Sequence, residues 1–313
     1  MRVLLTGVSS FTGCWFAQAL ARAGHTVVAT LTKPCGAYAE TRGRRVASLA
    51  GVVTLVPEVR FGSTEFITLM QSRGPFDVLC HHAAEATNYN RLDFDVAAAL
   101  VSNIAGLPAT LETLKRTGGK AVVLTGSVFE ASEGAGDEPR RAFNPYGLSK
   151  SLTADAFAYY VPAAGLRWGK FVIPNPFGPL EEPRFIAYLF RTWKEGKVAE
   201  VKTPDYVRDN IPVDLLAECY RLFVAQVSES SELFSKLNPS GYVETQGAFT
   251  LRLAAAMRPR LQRECLVQFA QQTDFSQPLT RVNTDPARLL VPEWQEDLFW
   301  DQCADYYRAA YLL

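Results

Sequence analysis

The sequence predicts an α/β protein with a doubly wound parallel sheet, followed by a smaller, mostly helical C-terminal lobe. Three observations carry this. Short β-branched runs alternate with helical patterns through the first half of the 313 residues. A glycine-bearing turn, "TGVSSFTG" (6–13), joins the first run directly to the first helix. From about Pro174 the texture changes to proline-rich turns, "PNPFGPLEEPRF", and to helices separated by irregular stretches. Strands alternating with helices mean βαβ units with right-handed crossovers, and therefore parallel pairing.

Strands are expected at Val3–Thr6, Thr26–Leu31, Val52–Val56, Asp77–Cys80 and Ala121–Thr125. Helices are expected at Thr12–Arg22, Thr64–Gln71 and Phe94–Lys115. In the first of these Phe16, Ala19 and Leu20 share a face, and Gly24 follows as a stop. Pro108 should kink or split the third. The expected division is a domain over 1–173 and a lobe over 174–313, with a segment near 207–217, "VRDNIPVD", returning as a strand to the sheet. The tail "EDLFWDQCADYYRAAYLL" reads as an amphipathic closing helix with its rings in the core, or as the contact of a homodimer.

Bulk properties narrow the function classes. Thirty-two basic and 32 acidic residues balance to a formal charge of +0, which gives no electrostatic footprint for nucleic acid. The six cysteines include no C-x-x-C pair and read as reduced thiols of a cytoplasmic protein. The N-terminal run is too short for a signal peptide, and no apolar stretch is expected to span a membrane. The three histidines, His25, His81 and His82, have no carboxylate or cysteine spacing around them, so no metal site is expected.

The opening turn has the makings of a dinucleotide cradle. Gly7 permits the tight turn after the first strand, and Gly13 permits close packing of helix on sheet. The helix N-terminus between them presents N–H groups and a positive dipole end to a pyrophosphate. Ser10 stands where the middle glycine of such a loop would sit, with a hydroxyl able to donate to phosphate. At the end of the second strand Leu31, Thr32 and Lys33 include no carboxylate for a ribose 2′-OH. A hydroxyl and an ammonium suit a 2′-phosphate, with Arg42, Arg44 and Arg45 close behind; NADP is thus slightly favoured over NAD. "VVLTGSVFE" ends a strand with Thr125, and "NPYGLSK" sets Tyr146 and Lys150 four apart on one helical face. An ammonium beside a phenol stabilises the phenolate, so Tyr146 can exchange a proton near neutral pH. Thr125 would orient the reacting oxygen.

At these residues the chain resembles the extended short-chain dehydrogenases/reductases, particularly the nucleotide-sugar epimerase and dehydratase branch, whose sheet is Rossmann-like. Gly7, Ser10, Phe11 and Gly13 lie on a turn similar to that family's T-G-x-x-G-F-x-G. "DVLCHHAA" resembles its D-V-V-x-H-x-A-A, whose small residues, here Ala83 and Ala84, let the cofactor pass. From their places on the strand, His81 is expected to be buried and satisfied, and His82, on the opposite side, to touch cofactor or substrate. Asn103 matches the family's helix asparagine, and Thr125, Tyr146 and Lys150 match its catalytic trio, with Ser127 beside the substrate. Glu58, followed by Val59, stands where the family often has an aspartate near the adenine. "PNPFGP" and "VRDNIPVDLLAE" resemble segments that would place Asn175 and Arg208 on a nucleotide sugar, the arginine on its diphosphate. The 4,6-dehydratases carry an Asp-Glu pair directly after the threonine; Gly126 and Ser127 here argue against dehydration. The resemblance thus implies hydride transfer at a sugar carbon, C4, by an epimerase or by a 4-ketoreductase. A reductase of a non-sugar ketone and a non-catalytic NADP-binding regulator are the rivals.

Overall fold

A computed structural model describes residues 1–311. The chain begins β1 (Arg2–Leu5), α1 (Phe11–Arg22), β2 (Thr26–Thr30), α2 (Glu40–Ser48), β3 (Thr54–Val56), α3 (Thr64–Arg73) and β4 (Val78–His81). Then come α4 (Val96–Asn103), α5 (Leu107–Arg116), β5 (Ala121–Ser127), β6 (Ala135–Gly136), α6 (Pro145–Ala163) and β7 (Arg167–Ile173). It continues through β8 (Asn175–Phe177), α7 (Phe185–Lys194), β9 (Ala199–Val201), β10 (Val207–Pro212), α8 (Val213–Glu229), β11 (Phe234–Leu237) and β12 (Pro239–Ser240). It closes with β13 (Tyr242–Thr245), α9 (Gln246–Leu261), β14 (Val267–Phe269), β15 (Thr280–Val282), β16 (Asp285–Pro286), α10 (Ala287–Leu290) and α11 (Glu296–Tyr311).

Seven strands form a parallel sheet in the order β11-β7-β5-β4-β1-β2-β3. Its central strands are buried on both faces, as parallel sheets require. On one face Leu4, Leu79 and Val122 pack against Phe66, Leu111 and Phe157 of α3, α5 and α6. On the other Phe16 of α1 stacks on Tyr220 of α8 at 3.9 Å, and Phe171 of β7 meets Tyr220 edge-on at 5.0 Å. The fold class read from the sequence is the one observed.

The long helical pattern does split, but ahead of the proline. α4 ends at Asn103, Gly106 takes φ +58°, and Pro108 falls in the first turn of α5, where its missing N–H is harmless. By composition Val96–Arg116 has the length and mean hydropathy, 1.2, to cross a membrane, contrary to the expectation that no stretch does. In the structure it is two helices with a break between them.

The chain divides into two compact units: 1–133, 140–173 and 217–238 in one, 134–139, 174–216 and 239–313 in the other. The segment expected to return to the parallel sheet does not do so. Its strand, β10, instead centres the second unit's sheet, β13-β10-β15-β6 with β8 beside β10. The strand that does return is β11, whose short, half-exposed "FSKL" pairs with β7 as an edge and carries little apolar signal. In the second unit Phe177 meets Phe249 and Phe299 edge-on, at 5.0 and 5.3 Å. α11 buries Phe299, Trp300, Cys303 and Tyr307, so the tail is core; Leu312 and Leu313 lie outside the described residues.

Candidate active site

The turn between β1 and α1 is shaped by two glycines. Gly7 sits at φ +79°, and a Cβ there would lie 2.7 Å from Ala83 N. A Cβ on Gly13 would lie 2.4 Å from Gly7 O and 2.8 Å from both His82 Cδ2 and Ser10 Oγ. Backbone therefore packs on backbone where any side chain would intrude. Ser10 caps α1 with φ −77°, a conformation open to any residue, so the missing glycine costs the turn nothing. Its hydroxyl does not face outward towards a phosphate. It donates to Gly7 O at 2.8 Å and accepts from Gly13 N at 3.2 Å. The next two N–H groups, of Phe11 and Thr12, have no intrahelical acceptor at this first turn and remain for an anion. The turn thus fits a dinucleotide pyrophosphate.

The end of β2 corrects one expectation. Leu31 is only 2% exposed and its side chain joins the core, so it cannot touch a ribose hydroxyl. Thr32 and Lys33 are exposed, and the Tyr38 hydroxyl accepts from Lys33 N at 3.2 Å. Val59 is buried with its N–H on Leu31 O, which leaves Glu58 exposed at φ +60°. Arg45 is fully buried, with Nη1 3.4 Å from Ser9 O and its guanidinium 5.7 Å from the Phe11 ring.

Both histidines of β4's end are structural. His81 Nε2 donates to Asn103 O at 3.2 Å, so Nδ1 accepts from the Thr6 hydroxyl at 3.1 Å. Thr6 Oγ1 in turn accepts from His82 N and Ala83 N, while Ala84 follows half-buried. His82 lies within 2.9 Å of Ser10 Oγ and 3.1 Å of Thr12 Oγ1 through Nε2, and 3.0 Å from Thr125 Oγ1 through Nδ1. Burial, with the Lys150 charge second, pushes both imidazoles down to about 3. Neither can serve as a base that cycles near neutral pH. Asn103 is buried too; its Oδ1 accepts from Glu85 N and its Nδ2 donates to Thr153. It fixes the loop after β4.

Thr125 and Ser127 share a face of β5, since alternate residues of a strand do. Depth separates them. Thr125 is 3% exposed and its hydroxyl is engaged by His82, with the buried Tyr220 hydroxyl also beside it. Ser127 is half-buried, and its Oγ accepts from Phe129 N at 3.2 Å, which leaves its own proton to donate. Asn144 caps α6 by accepting from Gly147 N at 2.9 Å, and a Cβ on Gly147 would lie 2.1 Å from Phe129 O. The start of α6 is thereby docked on the turn after β5. Tyr146, half-buried, meets Tyr89 and Phe94 edge-on at 5.7 and 6.1 Å. One helical turn on, Lys150 Nζ donates to Thr125 O at 2.6 Å. Burial brings its ammonium down to about 8, so it is still mostly charged at neutral pH.

Asn175 and Arg208 belong to the second unit. Asn175 lies in β8, in register with Asn210 of β10. Arg208 Nη1 donates to the carbonyls of Val207, Pro278 and Leu279, and Nη2 to Gln277 Oε1. Its guanidinium lies 4.4 Å from the Tyr206 ring. Burial lowers its pKa, with Tyr206 and Asp137 opposing. Arg281, which the sequence did not single out, is the register partner of Arg208 on β15 and is almost fully buried. In-register neighbours share a sheet face, a relation invisible before the strands are paired.

A glycine-shaped anion cradle and a Tyr-x-x-x-Lys face at the C-terminal end of one parallel sheet define a dinucleotide-dependent enzyme of the short-chain dehydrogenase/reductase type. The chain belongs to the NAD dependent epimerase/dehydratase family, whose profile matches residues 3–235. It is an extended short-chain enzyme with an NAD(P) cofactor. No curated protein matches the sequence. Among solved structures, the UDP-glucuronic acid 4-epimerase of Bacillus cereus, in complex with UDP-glucuronic acid and NAD, is 18% identical with a TM-score of 0.71, over 99% of this chain and 100% of that one. The UDP-glucose 4-epimerase of Thermus thermophilus, in complex with NAD, is 20% identical with a TM-score of 0.72, over 99% and 100%. The UDP-glucose 4-epimerase of Stenotrophomonas maltophila, with NAD and formylated UDP-arabinopyranose, is 21% identical with a TM-score of 0.73, over 99% and 98%. At these identities the likeness is one of fold.

Proposed function

We propose that this chain epimerises a nucleotide-diphosphate sugar at C4. The observation that carries this is the Tyr146–Lys150 face of α6, anchored by the Lys150 bond to Thr125 O at the end of β5. Gly7, Gly13 and the first turn of α1 hold the pyrophosphate. A nicotinamide cofactor held there would supply the acceptor and donor of hydride. Tyr146 takes the proton from the sugar hydroxyl and returns it, Lys150 lowers the proton affinity of the phenol, and Ser127 holds the reacting oxygen by donating to it. Water elimination is disfavoured, because Gly126 and Ser127 stand where the 4,6-dehydratases carry their Asp-Glu pair. The carboxylate nearest Gly126 belongs to Glu130, which is 0% exposed and bound to Lys170.

Arg208 binds the diphosphate. A guanidinium meets a diphosphate with a planar fork of donors that no neutral side chain reproduces. Arg208→Ala is expected to weaken nucleoside-diphosphate binding by about 1.5–3 kcal/mol, with cofactor affinity unchanged. Calorimetric titration of UDP, GDP, CDP and dTDP into both proteins checks it. If Arg208 serves only its carbonyl partners, the variant loses thermal stability without a selective loss of nucleotide.

One observation favours a second reading. No carboxylate stands at the β2 end, where Leu31 is buried and Thr32 and Lys33 are exposed, which suits NADP and a net 4-ketoreduction. In either case a second copy of the chain is assigned to the exposed apolar side chains of α4 and α6, Val101, Leu148, Leu152 and Tyr159.

A further inference from the structure

Behind the end of β5 lies a row of buried charges that the catalytic reading does not use. Glu130 is 0% exposed and sits three residues past Ser127. Its Oε1 accepts from Ser127 N at 2.7 Å, while its own N–H donates to Ser127 O at 3.0 Å. Two reciprocal bonds thus fix the backbone of Ser127 on both sides. Gly126 makes room for this: a Cβ there would lie 2.9 Å from Glu130 Oε1 and 2.9 Å from Lys170 Cε. Lys170 of β7 lies between two carboxylates, 2.6 Å from Glu130 Oε2 and 2.7 Å from Glu133 Oε1. Lys236 of β11 closes the row on Glu133 at 2.5 Å.

Buried ions persist only when paired, and removing one partner strands the other. The pairing here is complete: burial opposes the charged forms of Lys170 and Glu133, yet their partners hold Lys170 above and Glu133 below their ordinary ranges. The row ends beside the Lys150 ammonium, on which Glu130 and Lys170 act with opposite sign. Lys150 also faces the Thr125 carbonyl from β5 and the neutral His81 and His82 at the end of β4, and shares its face of α6 with Tyr146. Glu130, whose carboxylate holds Ser127 N two residues past the Thr125 carbonyl that Lys150 binds, is therefore a negative charge that acts on Lys150 from the strand side.

We propose that Glu130, held in place by Lys170, is a positioning residue of the active site: it clamps the backbone of Ser127 and supplies the counter-charge of the Lys150 ammonium. Both effects pass through other residues, since Glu130 itself is sealed from any substrate. The roles of Ser127 and Lys150 rest on the function proposed above, but the electrostatic coupling does not.

The test titrates Lys150 directly in the full-length protein with 13C-labelled lysine, by NMR, the resonance being assigned by its loss in Lys150→Arg. Glu130→Gln removes the negative charge and keeps an acceptor for Ser127 N. It is expected to move the Lys150 midpoint about one pH unit down. Lys170→Met removes the positive charge and is expected to move it up. The double variant, which leaves Glu133 paired with Lys236, is expected to return the midpoint close to that of the wild type. Should Lys170→Met fail to fold, Glu130→Gln and the double variant carry the same test. A purely structural role gives a different sign: loosening hydrates Lys150, and every variant then moves its midpoint up. That outcome, or an unmoved midpoint in Glu130→Gln, overturns the proposal. If the shifts occur as expected while the chain binds no nicotinamide cofactor, the proposed function fails and the coupling stands.

Discussion

Tyr146→Phe is expected to lower turnover by about a hundred- to ten-thousand-fold while leaving fold and cofactor binding intact. The ring keeps its edge contacts to Tyr89 and Phe94, so only the exchangeable proton is lost. No neighbour can replace it. Burial holds His81 and His82 neutral, their pKa pushed down to about 3, and both are committed to hydrogen bonds. Lys150 points its ammonium at Thr125 O. Steady-state rates on the reacting sugar, beside melting curves and cofactor titration, check the expectation. Turnover within a few-fold of the wild type removes Tyr146 from proton transfer.

Gly13→Ala is expected to be the most damaging single methyl in the cofactor turn. The new Cβ would lie 2.4 Å from Gly7 O, a backbone atom that cannot swing aside, and 2.8 Å from His82 Cδ2 and Ser10 Oγ. Overpacking of this kind costs about 1–3 kcal/mol, and where the strain falls on the cradle it appears as a loss of dinucleotide affinity of about ten- to a hundredfold. Gly24→Ala is the control. Nothing lies within 4 Å of a Cβ there, so its φ of +80° makes the change a matter of stability alone. Fluorescence or calorimetric titration with NAD and NADP separates the two variants. Wild-type affinity in Gly13→Ala would mean that the cofactor does not rest on this turn.

The first five strands, the glycine turn and the Tyr146–Lys150 spacing were readable because each is local: a run of apolar residues, a loop, one helical turn. What stayed hidden depends on pairing and depth. β7 does not read as a core strand because Gly169 and Lys170 interrupt "RWGKFVI". Gly169 is there because a Cβ would lie 2.6 Å from Val227 Cγ2, and Lys170 is tolerated because Glu130 and Glu133 neutralise it. α2 carries "ETRGRRVAS", too polar to show a helical stripe, although Arg45 and Val46 are buried. Thr125 and Ser127 fit the pattern of a strand-end hydroxyl equally well, and only burial distinguishes them. The inward turn of the Ser10 hydroxyl follows from a cap and a carbonyl that exist only once α1 has formed. The neighbouring placement of Arg208 and Arg281 exists only once β10 and β15 have paired.

The most direct test of the account follows the sugar itself. Purified protein is incubated with a trace of NAD and, in turn, UDP-glucose, UDP-glucuronic acid and UDP-N-acetylglucosamine, and the C4 proton of each is read by NMR. The expected result is the appearance of the C4 epimer of at least one sugar with no net change in nicotinamide absorbance, and its disappearance in Tyr146→Phe. Consumption of NADPH with a 4-keto sugar, and no epimer, would replace the epimerase with the ketoreductase. If the protein binds none of UDP, GDP, CDP or dTDP and transforms none of the sugars, the nucleotide-sugar assignment is contradicted.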